Sequence, residues 1–447
     1  MRMFMLTLAL LPLANGLCGA AELSVTPAEY RALAIKNNPG LAQARLAERA
    51  SEHTVKAALA AYFPKLSAGA LAANTNILPN SALSMALLPA AANAESTVSA
   101  AFITAQQPLY AGGRIVNGTR LARTGRDAAH EQMRLKEQEV TANAEKKYRT
   151  LQVLAEKKNT LAAYANLLNA LSAQVDQAFA GGLVTKTDVL RVNLKKAEVA
   201  LNRCSLEKAT ALAEEDFRLY AGIEPGTPLS LPAAVENIDV PAEKRDALFK
   251  ALAQRPEYKL LEAGAKAAEL QTAMKRGEYL PAIGIGAQLF RVDYYHGGDQ
   301  RYQNSAAFGM VSVPLNWWEG AHSVKVMSLK RDEARARLKE LGDYLLVDLE
   351  SKLKDYEDAY EHVKLAELAV EEAKANHSEK EDGYKNGTEK LSDLLEALAL
   401  EQDSLDGLTS SRSEYFIKHT EFLLAAGSTF PGETPGRTND AKEKSGD

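Results

Sequence analysis

The sequence predicts a mostly α-helical fold with a transmembrane β portion, built from two duplicated halves. Pro39 and Pro64 bracket a helical stretch, and Pro256 and Pro281 bracket a second one at the same separation. Segments of alternating small and apolar residues follow each stretch, which is the two-residue period of strands. Long proline-free segments with heptad-like apolar spacing follow the strands in both halves. The doubled order indicates duplication of one structural unit.

Five parts are expected along the chain. Residues 1–21 resemble a cleaved signal peptide, because a charged tip and a short apolar run precede small residues. The first structural repeat covers residues 22–221, a proline-rich connector covers 222–241, and the second repeat covers 242–427. Residues 428–447 are polar, with proline and glycine, and are expected to form a disordered C-terminal tail.

Composition excludes several classes of function. The net charge of -5 gives no indication of nucleic-acid binding. The histidines are scattered and no phosphate-binding loop occurs, so we expect no enzyme activity, no cofactor and no metal. Beyond the signal region Cys204 is the single cysteine, and apolar neighbours at helical spacing, including Leu194 and Leu201, predict that it is buried. Whether Cys18 carries a lipid stays open.

In the first half, the pattern predicts a helix, two strands, a very long helix and a returning helix: residues 27–61, 63–77, 98–107, 114–179 and 188–219. Thr26 can cap the first helix, Pro108 is expected to end the second strand, and Gly181 with Gly182 ends the long helix. At 1.5 Å per residue that helix is about 100 Å long. Its apolar seam, which includes Tyr164 and Leu168, predicts packing of helix on helix.

The second half repeats this order, with a last helix ending near residue 426: residues 242–278, 282–294, 305–313 and 320–383 precede it. The strands are two-faced, as the first strand of this half illustrates: Ile283 and Ile285 alternate with Gly284 and Gly286. Four strands of one chain leave open edges, which are untenable in lipid. Three chains contributing four strands each would close a twelve-stranded β-barrel, although the sequence does not fix the number of chains.

The doubled proline-to-proline units, two strand exits and two hairpin tips resemble the TolC-like outer-membrane efflux protein family. The exits are Gln107-Pro108-Leu109 and Val313-Pro314-Leu315, and the resemblance covers about residues 25–427. It implies a homotrimer in which long antiparallel helical hairpins form an α-barrel and the strands form the membrane barrel. It implies that the protein lies in the outer membrane of a Gram-negative bacterium and extends into the periplasm. It also implies a periplasmic adaptor and an inner-membrane pump as partners. The exported substrate and the pump stay open.

Two acidic residues match the periplasmic gate of this family. Asp393 and Glu396 lie three residues apart, hence on one helical face, and in a symmetric trimer they would form two acidic rings. The alternative is that both carboxylates only stabilise a helix N-terminus. Asp188 is the counterpart in the first half, where helix capping is expected.

By the same resemblance, both hairpin tips are expected to contact the adaptor: Gly182, Leu183, Val184, Thr185, Gly387, Thr388, Glu389 and Lys390. The alternative role of these residues is turn formation alone. Tyr110, Trp317 and Trp318 follow the strand exits and are expected to be membrane-interface aromatics. The alternative for them is packing where strand turns into helix.

A second interpretation of the whole chain is a periplasmic coiled-coil adaptor or structural protein of an export complex, with a soluble β-domain. The two pairs of two-faced strands, each flanked by long helices, favour the passive exit duct of a tripartite efflux or secretion system.

Overall fold

A computed structural model describes residues 23–74, 97–231, 238–240, 251–295 and 299–427. The helices are α1 (Pro27–Asn37), α2 (Pro39–Ala60), α3 (Arg114–Ala180), α4 (Lys186–Ala221), α5 (Pro256–Gly277), α6 (Trp317–Lys385) and α7 (Leu391–Ala425). The strands are β1 (Leu23–Ser24), β2 (Lys65–Asn74), β3 (Thr97–Ala111), β4 (Leu229–Ser230), β5 (Ala282–Tyr295) and β6 (Asp299–Ser312). The predicted signal peptide and C-terminal tail lie outside the described residues. Within the described part, no helix combines the length and apolarity needed to cross a membrane.

The chain divides into two compact units, each built from both halves of the sequence. The tip unit comprises the described residues of Met1–Pro39, Glu137–Glu243 and Ser351–Asp447, and the sheet unit those of Gly40–Lys136 and Lys244–Glu350. The sheet unit holds the strands that were predicted to enter the membrane. The tip unit holds both turns between the long and returning helices, which carry the candidate gate and docking residues.

The sheet unit contains a four-stranded antiparallel sheet in the order β2-β3-β5-β6. The prediction that β3 ends before Pro108 is wrong: the strand continues to Ala111, and its register shifts between Pro108 and Tyr110. Such a shift accommodates a residue that lacks the N–H of a regular ladder. β6 is also longer than predicted, because Asp299 and Gln300 pair with the end of β5.

The register gives the sheet two different faces. One face, here called the aliphatic face, carries mainly small and aliphatic side chains: Leu66, Ala68, Ala70, Ala101, Ile103, Ala105, Ile283, Ile285, Ala287, Leu289, Ala307 and Val311. The opposite face mixes aromatic with polar side chains, among them Phe102, Thr104, Gln288, Phe308 and Asn304. The two-faced character predicted from the sequence is therefore present across all four strands.

Close backbone approach holds the sheet against its helices at the point where β3 leads into α3. Gly112 has φ of 62°, and a Cβ there would lie 2.1 Å from the carbonyl oxygen of Gly277 at the end of α5. Only glycine fits this left-handed conformation at such a distance.

In the tip unit, the predicted seam of the long helix is confirmed, since Tyr164, Leu168 and Val175 of α3 are buried. They form one core with residues of α4 and α7: Val192, Val199, Leu391, Leu394, Leu395 and Leu398. The single helix predicted over residues 27–61 is interrupted at Asn38, whose ψ of 122° is extended. Pro39 disfavours the helical conformation in the residue before it, and this explains the break.

Two tyrosines tie other segments of the tip unit to this helical scaffold. The Tyr30 ring stacks on Phe217 with centroids 3.8 Å apart, and its hydroxyl donates to the Phe217 carbonyl at 3.0 Å. Tyr415 donates to the carbonyl of Asp239 at 2.8 Å and accepts from its N–H at 2.9 Å. The connector between the two repeats is thus anchored to α7.

The prediction that Cys204 is buried is wrong. Cys204 is exposed, and its neighbours Leu194 and Leu201 are 72% and 70% exposed. The returning helix α4 instead buries the stripe that contains Val192 and Val199. This helix has two apolar stripes, and periodicity alone could not indicate which of them faces the core of the chain.

Candidate functional site: the two helical hairpin tips

The first tip joins α3 to α4 through a glycine-based helix stop. Gly182 has φ of 74° and donates its N–H to the Phe179 carbonyl at 2.9 Å. The N–H of Leu183 donates to the Ala178 carbonyl at 2.8 Å. These bonds satisfy carbonyl groups at the end of α3 that have no partner inside the helix.

The second tip, between α6 and α7, has the same geometry. Gly387 has φ of 73° and donates to the Tyr384 carbonyl at 3.1 Å, while Thr388 donates to the Gly383 carbonyl at 2.9 Å. The ring of Tyr384 packs against the core of the tip unit. The turn chemistry proposed from the sequence is therefore present at both tips.

Helix α4, which begins after the first tip, has a reciprocal N-terminal cap. The Thr185 hydroxyl accepts the Asp188 N–H at 3.3 Å, and the Asp188 carboxylate accepts the Thr185 N–H at 3.1 Å. The Thr185 hydroxyl also donates to the Asp188 carboxylate at 2.7 Å, and this bond, followed by the one from the Thr185 N–H, lowers the pKa of Asp188. The predicted capping role of Asp188 is confirmed.

After the second tip, Lys390 occupies the capping position and makes no side-chain cap. Asp393 lies one turn further, and its carboxylate accepts a hydrogen bond from the Ser392 hydroxyl at 2.9 Å. That bond and the nearby positive charge of Lys380 lower the pKa of Asp393. The Asp393 carboxylate is therefore ionised at neutral pH.

Asp393 and Glu396 occupy different environments on α7. Asp393 is half-buried and Glu396 is exposed, while Leu394 and Leu395 between them are buried in the core of the tip unit. Packing of these leucines fixes the rotation of α7, and thereby the direction of the two carboxylates.

An ion pair that sequence patterns did not reveal supports the second tip. The Lys380 ammonium lies 2.8 Å from the Glu389 carboxylate, and both side chains are about one-third exposed. Further along, His377 of α6 and Glu401 of α7 are joined by a hydrogen bond, with Nδ1 and Oε2 2.5 Å apart. Neither pair has helical spacing along the chain, so only the folding of the hairpin brings its members together.

The eight residues predicted to contact the adaptor differ in their exposure to solvent. Six of them are exposed: Gly182, Leu183, Thr185, Gly387, Thr388 and Lys390. Val184 and Glu389 are half-buried. Leu183 stands out because 83% of a leucine surface faces solvent at the turn.

The aromatic candidates belong to the sheet unit. Tyr110 lies near the end of β3 and is 45% exposed, and Trp317 and Trp318 begin α6 with 61% and 75% exposure. Two adjacent tryptophans exposed to this degree are not explained by packing within one chain. In the described residues, no cluster of histidine, cysteine or acidic side chains has an arrangement that could hold a metal ion.

Solved structures with the same fold include outer-membrane channels. CmeC of Campylobacter jejuni superimposes with a TM-score of 0.76 at 15% identity, covering 90% of this chain and 85% of that one. VceC of Vibrio cholerae gives 0.74 at 16% identity, covering 91% and 97%. MtrE of Neisseria gonorrhoeae, described in its open state, gives 0.73 at 15% identity, covering 90% and 89%. No curated protein matches the sequence significantly.

The fold of this chain is therefore the one seen in outer-membrane channels. Residues 31–222 match the model of the outer membrane efflux protein family. This match covers less than half of the chain, and together with the shared fold it agrees with the resemblance to the TolC-like outer-membrane efflux proteins. The family consists of transport ducts that work in tripartite complexes. The shared fold favours the channel over the alternative of a periplasmic adaptor.

Proposed function

We propose that three copies of this chain form one exit duct, closed when idle by Asp393 and Glu396 and docked to a periplasmic adaptor through the two tips. The observation that carries the proposal is the open sheet. β2 and β6 are the outer strands of the four-stranded sheet, and neither has an outer neighbour within the described residues. Three such sheets joined edge to edge would close a twelve-stranded barrel and leave no edge in lipid.

The exposed stripe on α4 supports association of identical chains. Leu190, Leu194, Leu201, Leu212 and Leu219 are between 57% and 81% exposed. A repeated row of leucines along one helix has the pattern of a helix–helix interface, and a second copy would cover it. Cys204 lies within this row, which provides a site-directed cross-linking probe.

The gate proposal rests on the positions of Asp393 and Glu396 and on the ionised state of Asp393. In a threefold assembly Asp393 and Glu396 would contribute two rings of three carboxylates each. Rings of carboxylates attract cations and hold divalent ions strongly. Since α7 is fixed by its buried leucines, opening would require movement of the whole second tip rather than rotation of two side chains.

Docking through the tips is supported by their exposure and their duplicated geometry. Leu183 at the first tip and Thr388 at the second occupy corresponding positions after the turn glycine, and both are exposed. A partner with a repeated binding surface could engage both. Tyr110, Trp317 and Trp318 would lie at the periplasmic membrane interface, where aromatic side chains are favoured.

The test is single-channel conductance in planar bilayers, comparing wild type with Asp393→Ala/Glu396→Ala. Cation-selective pores whose conductance rises and whose block by divalent cations weakens in the variant are expected. Asp188→Ala is the matched control, since it removes the corresponding carboxylate of the first tip and should leave selectivity unchanged. Pores that respond equally to both variants would contradict the gate, and absence of pores from wild-type protein would contradict the duct.

A further inference from the structure

An arginine pair interrupts the aliphatic face of the sheet at the end remote from the helices. Arg291 of β5 and Arg301 of β6 lie on this face together with Asp293, which pairs with Arg301 in the strand register. Arg291 Nε and Arg301 Nε each lie 2.9 Å from a carboxylate oxygen of Asp293. The cluster carries one net positive charge.

The two guanidinium groups remain accessible. The Arg291 and Arg301 side chains are 44% and 67% exposed, whereas that of Asp293 is 17% exposed. Each arginine uses its Nε on the shared carboxylate, and within the described residues its terminal nitrogens have no further hydrogen-bond partner. Asp293 thus holds both cations on the same face of the sheet, with their terminal nitrogens unpaired within the described part of the chain.

The position of this cluster along the strand matches one edge of a membrane. Ile283, Ile285 and Leu289 precede Arg291 on the same face. At about 3.4 Å per residue, the rise from Ile283 to Arg291 is about 27 Å along the strand. A strand tilt of about 40° reduces this to about 21 Å of height, close to the apolar band of about 25 Å on membrane barrels.

The Arg291–Arg301 cluster lies at the outer edge of the membrane. In the described part of the chain, the connections between the sheet and its helices are at the other end, where Ala111 leads to α3 and Ser312 leads towards α6. Because the helical part extends into the periplasm, the end that carries Arg291 and Arg301 reaches the outer leaflet. The abundant anions at that level of a lipid surface are the phosphate groups of lipids.

We propose that Arg291 and Arg301, held by Asp293, form a binding site for the phosphate group of an outer-leaflet glycolipid. Paired guanidinium groups donate parallel hydrogen bonds to phosphate oxygens, a stronger arrangement than a single ammonium. The acyl chains of the same lipid would cover Leu289 and Ile285 below the cluster. The proposal rests on the outer-membrane placement of the sheet in the proposed duct.

The test uses purified full-length channels in bilayer discs of phosphatidylcholine with added lipid A, a bisphosphorylated glycolipid. Native mass spectrometry then measures how much lipid A each protein retains. Wild type is expected to retain it, and Arg291→Gln/Arg301→Gln to bind it about tenfold more weakly, as expected for loss of charge-assisted hydrogen bonds. Arg301→Gln alone, the milder change at the more exposed position, should show part of this loss.

Two controls isolate the phosphate contact. Arg335→Gln removes an arginine that is 55% exposed and paired with Glu269 on a helix, and it should not change retention. Dephosphorylated lipid A should be retained no better by wild type than by the double variant, and inorganic phosphate alone should not bind.

The outcomes separate this site from the duct itself. Inserted wild-type channels that retain lipid A no better than the double variant, or retain it without its phosphates, overturn the site and leave the duct standing. Equal losses in Arg335→Gln show non-specific charge attraction and also overturn the site. Wild-type protein that does not enter bilayers overturns the duct, and the site with it.

Discussion

The two hairpin tips share their turn geometry but differ in what holds the helix that follows. Gly182 and Gly387 have φ of 74° and 73°, and equivalent N–H groups close both turns. After the first tip, Thr185 and Asp188 cap each other within one helical turn. After the second, Lys390 provides no cap, and Glu389 is instead held by Lys380 of the preceding helix.

The first tip is therefore stabilised by residues close together in sequence, whereas the stability of the second tip depends on contact between two helices. The first tip keeps its cap whatever α3 does, because both partners lie within four residues. The second tip loses its support if α6 and α7 separate. The candidate gate residues follow the second tip. An ion pair between α6 and α7 that can break is suited to a tip that moves when the gate opens.

Replacing the turn glycines should have the largest effect on either tip. Gly182→Ala and Gly387→Ala each place a Cβ in the left-handed region, at a cost of about 1–2 kcal/mol. We expect amide hydrogen exchange at the affected tip to accelerate, while the other tip remains unchanged. Gly407→Ala is the control, since nothing lies within 4 Å of the Cβ that this change adds to a helical glycine, and it should be neutral or stabilising. Acceleration at both tips from one substitution would contradict their independence.

Removing the cap should affect only the first tip. Thr185→Ala is expected to lower the local stability of the start of α4 by about 1 kcal/mol, because the Asp188 N–H loses its acceptor. The same substitution at Lys390 should cost almost nothing. Hydrogen exchange of the first-turn amides of α4 and α7 measures both effects, and equal losses would show that the two restarts do not differ.

The missing cap can be supplied. Asp393 already occupies the position that Asp188 holds in the first tip, so Lys390→Thr should create a second capping box and stabilise the start of α7 by about 0.5–1 kcal/mol. If release of this tip is part of opening, the same variant should lower the frequency of open events in bilayer recordings. If the variant slows amide exchange at the start of α7 but leaves the open frequency unchanged, release of the second tip is not part of gate opening.

Breaking the Lys380–Glu389 pair should have a smaller effect. Both side chains are about one-third exposed, and exposed ion pairs contribute about 0–1 kcal/mol. Lys380→Met is expected to increase exchange at the second tip slightly and to raise the open frequency. Lys385→Met, which removes an exposed pair with Glu381 inside one helix, is the control. A larger effect from the control would exclude a specific role for Lys380.

The smallest expected effect is that of pH. Asp188 and Asp393 both have pKa values below their ordinary 3.8, so their stabilising bonds are present above that pH and are lost as pH falls through the lowered values. Tip protection should stay constant from neutral pH down to about 5 and weaken only below about pH 4. Exchange protection corrected for the intrinsic rate at each pH measures this, and Asp188→Asn should abolish the change at the first tip only. If exchange protection of the tips weakens near neutral pH, titration of Asp188 and Asp393 is not the cause.

Local sequence signals located most of this fold. The proline pairs, the glycines at the tips and the heptad seam of α3 predicted the order of elements, because each acts on its own segment of backbone. Where neighbouring segments compete, prediction failed: Pro39 interrupts the first helix, and β3 passes Pro108 through a shift in register. The Asp188 cap was predictable because it spans three residues, whereas the Lys380–Glu389 pair was not.

By itself the sequence determined the duplicated order of helices and strands, the positions of the turns and the two faces of the strands, since these depend on contacts a few residues apart. Tertiary structure alone decided which apolar stripe of α4 is buried and which leaves Leu194, Leu201 and Cys204 exposed. It also brought Arg291, Asp293 and Arg301 together on one face, since β5 and β6 must first pair in register. Periodicity reveals that a helix has an apolar stripe, but only packing between elements determines what covers it.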